Sequence, residues 1–205
     1  MKALLYVSAA VAAYLVAGWN PAITFSRAIY KKDIREYGSG NPGFTNFKRT
    51  FGNRWAWWVL ALDLSKAAVV VAIFANLFAQ HLGMYHFGAA YTGLFAMLGH
   101  AFPVWYKFKG GKGFLVSLST VWVLDWRVGL IATLIMIGLL LATKYMSLAT
   151  VVAMLCCPIF LALFDVPTNA VLIITGIVLF MAIRHKENFK RLKAGTESKF
   201  VVKSH

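Results

Sequence analysis

Acidic residues are scarce in this chain. Only seven occur among 205, against 21 lysines and arginines, and the formal net charge is +14. Carboxylates this few and this scattered supply no donor set for a divalent ion, which wants several oxygen ligands together. No metal and no cofactor are therefore expected. Cysteine is as rare. Cys156 and Cys157 are adjacent inside an apolar run, no Cys-x-x-Cys is present, and both read as small packing residues. Internal repeats, low-complexity tracts and linkers are absent as well, so 1–205 reads as one domain. The glycine-rich stretch FKGGKG at 108–113 is not a Walker A loop, which would need glycine at 106 and Ser or Thr at 113 where the chain has Tyr106 and Gly113.

What is abundant is apolar. Hydrophobic residues make up 60% of the chain and aromatics 15%. A soluble domain of this length cannot bury that much apolar surface, whereas a bilayer can. The expected class is an all-α polytopic membrane protein. In a soluble protein the positive charge would point to nucleic acid; here it points to the membrane side, and no nucleic acid is expected. Apolar segments lie at about 4–25, 55–79, 87–106, 113–126, 128–145, 147–164 and 169–184. The first resembles a signal peptide at its start. It continues apolar to Phe25 with no soluble domain after it, so a retained span is expected. Asp125 and Arg127 around Trp126 read as a tight turn at an interface. That leaves a fourth helix that is short or begins inside the glycine loop, or else one re-entrant hairpin over 113–143.

Charge placement favours seven spans. Seven basic residues fall in 27–54, three in 107–112, one at Lys144 and seven in 184–203. Seven crossings put all of these on one side, with only Lys2 and Arg127 opposite and Lys66 within a span. Lysine and arginine in short loops mark the cytoplasm, so the N-terminus is expected outside and the C-terminus inside.

Three segments on that side combine small, amide and cationic residues. In YGSGNPGFTNFKRTFG (37–52), Gly38, Ser39, Gly40 and Gly43 let backbone approach a ligand, and Asn41-Pro42 reads as a helix N-cap with proline at N1. Thr45 and Arg49 would share a face of that helix. In GHAFPVWYKFKGGKG (99–113), consecutive glycines permit a nest of backbone amides and Lys112 adds a point charge for phosphate. Lys107 and Lys109 also fit simple interfacial anchors, and His100 also fits a packed histidine. In RHKENFKRLKAGTE (184–197), Arg184, Asn188 and Arg191 fall at i, i+4 and i+7, one helical face, with His185 at its edge. An amphipathic tail on anionic lipid accounts for Lys190 and Lys193, whereas the directional donors of the arginine, asparagine and histidine set fit anion recognition better. Asp63 and Lys66 at i, i+3 within the second span read as an ion pair. The gathered cluster suits a metal-independent site for phosphorylated ligands beside lipid.

GSGNPGFTN (38–46), GHAFPVWYKFKGGKG (99–113) and RHKENFKRLKAGTE (184–197) closely resemble the three signature motifs of the bacterial acyl-phosphate glycerol-3-phosphate acyltransferases, the PlsY type. Order, spacing and length agree over essentially the whole chain. The resemblance implies a seven-spanning enzyme of the bacterial cell (inner) membrane with its active site on the cytoplasmic side. It would move an acyl group from acyl phosphate to glycerol 3-phosphate, giving lysophosphatidate and inorganic phosphate, with no CoA or acyl carrier protein. It implies catalytic roles for Lys112, Ser39, His185 and Asn188. Substrate contacts would come from Gly38, Gly40, Asn41, Thr45, Asn46, Arg49, Lys66, His100, Lys109, Gly110, Gly111, Gly113, Arg184, Arg191 and Glu197. The proton acceptor stays open between His185, His100 and the substrate's own phosphate. Two positions depart from the family: Gly18-Trp19-Asn20-Pro21 stands where Gly-Ser-Ile-Pro is usual, and Ala67 where glycine is usual. The HxxxxD dyad of other glycerolipid acyltransferases follows no histidine here. An anion or organophosphate transporter is the main alternative, and a CDP-alcohol phosphotransferase would need an aspartate-rich motif the chain lacks. Polar groups collected at one face, rather than spread across the membrane depth, favour the enzyme.

Overall fold

The structure, a computed structural model, describes residues 2–200 and is helical, with no strand among them. Its helices are α1 (Lys2–Gly18), α2 (Pro21–Tyr30), α3 (Phe44–Phe51), α4 (Asn53–Leu82), α5 (Tyr85–Ala101), α6 (Phe114–Leu124), α7 (Trp126–Thr143), α8 (Met146–Leu163), α9 (Thr168–Arg184) and α10 (Lys186–Lys193). Every expected apolar segment is mainly helix, although the third leaves the α-helix at Ala101, five residues before its expected end. Four stretches are long and apolar enough to cross a bilayer: Lys2–Tyr30, Asn53–Leu82, Trp126–Thr143 and Met146–Leu163. A fifth results if α9 and α10, bent by 51°, are one span. At ~1.5 Å per residue, α5 rises roughly 25 Å and α6 roughly 16 Å, short of a ~30 Å hydrocarbon core. Length and composition thus account for four or five crossings, fewer than the seven that charge placement favours.

The first segment is not one helix. Pro21 occupies the first turn of α2, and Asn20 caps it by accepting from the Ile23 amide at 3.0 Å. Residues 113–143 form two helices with a turn at Asp125, whose side chain accepts from the Arg127 amide at 2.9 Å and caps α7. Asn41 and Pro42 do not start α3. Gly43 holds the cap position without a side-chain bond, so the expected cap lies two residues too early.

Small residues set the packing. Ala9, Ala13 and Ala17, four apart on α1, are fully buried and face α5. There Gly99 lies so close that a Cβ would strike the backbone of Tyr14. Close approach of this kind suits helices whose surroundings are already apolar. Outward positions are large and exposed instead, as at Leu134 (59%), Leu141 (70%), Ile159 (62%) and Leu163 (67%). Such a surface belongs in lipid.

Candidate active site

Long-range hydrogen bonds bring the three polar segments together at one end of the helices. Arg35, two residues before the first, ties its start to the second: Nη1 donates to the carbonyls of Tyr106 (2.9 Å) and Lys109 (3.2 Å). Asp33 holds that guanidinium through Nε and Nη2, the latter at 2.7 Å, and Arg35 in turn keeps the Asp33 carboxyl below the ordinary carboxylate range. Arg184 joins the second to the third, donating from Nε to the Gly111 carbonyl (3.0 Å) and from Nη2 to that of Gly110 (3.4 Å).

The first half of the glycine loop is therefore not an open nest. The Gly110 and Gly111 amides donate back to the carbonyls of Ala101 (3.2 Å) and His100 (3.1 Å) at the end of α5. Amides already spent on backbone cannot bind phosphate. The glycines are needed for proximity: a Cβ on Gly111 would run into the His100 ring. Gly113, at φ 88°, ends the loop in the left-handed region and starts α6. The charge for an anion comes from side chains.

Lys112 donates to Asn188 Oδ1, Asn188 Nδ2 donates to Glu197 Oε1 at 2.7 Å, and Arg191 Nε donates to Glu197 Oε2 at 2.7 Å. Ser147 on α8 adds a bond to Glu197 Oε1 at 2.8 Å. Burial lowers Lys112 to about 8, reinforced by Arg191 and opposed by Glu197. Burial would raise Glu197, but its three donors outweigh it and the carboxyl titrates below its ordinary range. Glu197, expected at the substrate, spends both oxygens on the protein.

The expected single face of Arg184, Asn188 and Arg191 does not form, because the helix breaks at His185 and α10 turns away. Arg184 faces the glycine loop, while Asn188 and Arg191 face Glu197. His185 is buried at the break, with Nδ1 2.9 Å from the Met181 carbonyl; donation there leaves Nε2 as the ring acceptor.

Beneath the loop lies a second buried set. Lys66 Nζ donates to the Trp19 carbonyl at 2.6 Å and lies 3.2 Å from His100 Nδ1 and 2.8 Å from Asp63 Oδ1. The Asp63 oxygen makes no directed hydrogen bond, so that contact is one of charge. With its donors directed at Trp19, His100 and Asp63 and its surface covered, Lys66 lies beneath the glycine loop. His100 is placed likewise, its Nδ1 lone pair facing Lys66 and its ring against Gly111.

A cavity of about 430 Å3 opens at this end, lined by Ser39, Gly40, Asn41, Gly110, Lys112, Phe180, Ile183, Arg184 and Lys186. Lys112, Arg184 and Lys186 give it three cationic walls and no acidic one. Thr45, Arg49 and Lys109 are not among its walls; Arg49 and Lys109 are exposed. Asn46 is buried and shapes the first loop, accepting from the Ser39 amide at 3.0 Å and donating to the Tyr37 carbonyl at 2.9 Å. Gly38 closes over that side chain at φ 59°. A cavity of about 480 Å3 sits at the other end of α6, where Asp125 and Arg127 pair at 2.6 Å and neutralise each other. Among the described residues no three His, Cys, Asp or Glu side chains converge as a metal site.

The family model described as glycerol-3-phosphate acyltransferase matches residues 7–195. The chain belongs to the glycerol-3-phosphate acyltransferase family. A glycerol-3-phosphate acyltransferase of Thermoanaerobacter sp. (strain X514) is 38% identical over 97% of both chains. That of Aquifex aeolicus (strain VF5) is 35% identical, covering 98% of this chain and 100% of its own. The crystal structure of PlsY (YgiH), an integral membrane glycerol 3-phosphate acyltransferase, in its glycerol 3-phosphate form superposes with a TM-score of 0.85 at 33% identity over 96% of each chain. Its lysophosphatidic acid form gives 0.84 at 30% identity, over 96% of this chain and 95% of its own. This acyltransferase family member is thus an integral, multi-pass membrane protein of the PlsY fold.

Its two departures have local consequences. Asn20, in place of the usual isoleucine, reaches the first loop by donating from Nδ2 to the Pro42 carbonyl at 3.0 Å. Ala67 is fully buried in the core beside Lys66. Sequence reasoning missed Arg35, Ser147 and Asn20 as organisers of the site. Arg35 was one cation among many, and Ser147 opens an apolar helix with no motif around it.

Proposed function

We propose that this protein transfers the acyl group of an acyl phosphate to the primary hydroxyl of glycerol 3-phosphate, releasing lysophosphatidate and inorganic phosphate. The observation that supports this most is the cavity with three cationic walls and no acidic one, at the end of the helices where all three motifs meet. Lys112, Arg184 and Lys186 hold the two phosphates there, while the acyl chain stays among the apolar helices. The hydroxyl oxygen attacks the acyl carbonyl carbon, the bond between that carbon and the bridging phosphate oxygen breaks, and phosphate leaves with that oxygen. Lys112 stabilises the charge that moves onto the leaving phosphate.

The leaving phosphate accepts the hydroxyl proton. The His100 lone pair faces Lys66, and His185 lies outside the cavity wall. Both histidines then serve as supports. Acyl phosphate is already activated, so neither CoA nor acyl carrier protein takes part.

The chain works as one domain, 1–205, in the bacterial inner membrane. Seven helices cross it, with the N-terminus outside and the C-terminus in the cytoplasm. This arrangement is favoured by the eighteen basic residues it gathers on one side. The test uses purified protein and labelled acyl phosphate. Phosphate release is expected only when glycerol 3-phosphate is present, and at an unchanged rate in excess EDTA. Release without the acceptor, or dependence on magnesium, would overturn the proposal.

A further inference from the structure

Beyond α10 the chain turns back across the site. Gly195, at φ 69°, ends the helix, and the Thr196 and Glu197 amides donate to the Arg191 carbonyl at 2.8 and 3.2 Å. Glu197 enters the site, taking bonds from Asn188, Arg191 and Ser147. Ser198 and Lys199 are exposed. Phe200 is partly buried, and it is held in two ways. Its amide donates to the Lys144 carbonyl, in the turn between α7 and α8, at 2.7 Å. Its ring sits 6.2 Å from that of Phe44, with Lys48 Nζ 4.6 Å from its centre. Phe44 and Lys48 belong to α3, the helix of the first motif, which packs on α2 and α4. α10, the helix of the third motif, packs on α8 and α9. Residues 196–200 join the two.

We infer that this segment is a strap that sets the Glu197 carboxylate against Asn188 and Lys112, with Phe200 as its latch, so that Phe200 is a positioning residue for acyl transfer. This rests on the acyltransferase reading above. Two residues, Ser198 and Lys199, separate latch from carboxylate, and both are solvated. When the ring leaves its place on α3, the strap loses its tie to that helix and keeps the Phe200 amide bond to Lys144 as its far tether. Glu197 then samples other positions, Asn188 loses its acceptor, and the Lys112 ammonium is no longer steered into the cavity. The charged groups acting on Lys112 are Arg191 and Arg184, which disfavour its proton, and Glu197 and Glu187, which favour it. Lys186 adds a further positive wall to the cavity. Withdrawing Glu197 therefore lowers the Lys112 pKa.

The experiment compares Phe200→Ala, Glu197→Gln, the double variant and Phe44→Ala, each as full chain in detergent or nanodiscs. Phe200→Ala is expected to lower kcat/KM for glycerol 3-phosphate about tenfold, the scale of one disturbed charged hydrogen-bond network. The alkaline limb of its pH profile should move to lower pH, as in Glu197→Gln. The double variant should be no worse than Glu197→Gln, since the latch acts through that carboxylate. Phe200→Leu should recover most of the rate, and Phe44→Ala, which empties the other half of the contact, should resemble Phe200→Ala. Rates of Phe200→Ala within twofold of wild type, or losses that multiply in the double variant, would overturn the strap. Should Phe200→Ala fail to accumulate, Phe44→Ala decides on the same criteria. Hydrogen exchange reads the latch without activity: the Phe200 amide is expected to exchange much faster in Phe44→Ala, and unchanged protection would overturn the latch. Wild-type protein that transfers no acyl group would refute the functional reading and leave that exchange test standing.

Discussion

Arg184 donates to the carbonyl oxygens of Gly111 at 3.0 Å and Gly110 at 3.4 Å, so the end of α9 is bolted to the turn that follows α5. The same guanidinium lies 5.2 Å from the Phe102 ring, which fixes it from another side. A planar fork serves both carbonyls at once; an ammonium cannot do so from the same stem.

Arg184→Ala removes two charged hydrogen bonds and one cationic wall. A charged hydrogen bond contributes about 1.5–3 kcal/mol, so kcat/KM should fall by about 10- to 100-fold. Arg184→Lys should recover only a small part. Steady-state kinetics at matched membrane expression measure both, and full recovery in the lysine variant would show that charge alone is required.

Lys112 and Lys109 separate a working charge from an interfacial one. Lys112 is half-buried in the cavity wall, while Lys109 is exposed and contributes its backbone, the amide to Tyr106 and the carbonyl to Arg35. Lys112→Ala should cost about 100- to 1000-fold in turnover, as expected for loss of a group facing developing charge. Lys109→Ala should change turnover a few-fold at most. Equal effects at the two positions would contradict this division.

The pH dependence follows from Lys112. Its folded pKa of about 8 lies below the ordinary lysine value because burial disfavours the charge. The proton that binds phosphate is present below pH 8 and lost above it, so kcat/KM should fall as pH rises through about 8. A bound phosphate dianion favours the ammonium, so the corresponding limb in kcat should lie at higher pH. Lys112→Arg should abolish the limb within the accessible range even if its rate stays low. A limb that persists in that variant belongs to another group.

Asp63 and Lys66 form a buried pair at 2.8 Å, and Asp63 is 1% exposed. Removing one member strands the other's charge at a cost of about 3–5 kcal/mol. Asp63→Ala should therefore lower the thermal midpoint in detergent sharply. A double change of Asp63 and Lys66 to leucine should restore part of the stability without restoring activity, because His100 and Trp19 lose their shared donor. An Asp63→Ala midpoint equal to wild type would show that the pair is solvated.

Much of this molecule is legible in its covalent order. Apolar runs specify the helices because bilayer and core both reward them. Asp125 and Arg127 specify the turn after α6, and the motifs specify which segments hold the chemistry. These are signals of local spacing. What spacing could not reveal is which hydrogen bonds those segments exchange. The glycine amides are consumed by carbonyls at the end of α5, Arg35 binds carbonyls more than seventy residues away, and Ser147 meets Glu197 across fifty. The bend at His185 splits a face that the i, i+4, i+7 pattern had placed on one helix. Each of these outcomes depends on satisfying buried donors and acceptors in three dimensions. The sequence determined which residues were on hand for the site; the tertiary structure decided which were consumed in building it and which, led by Lys112 and Arg184, were left facing the cavity.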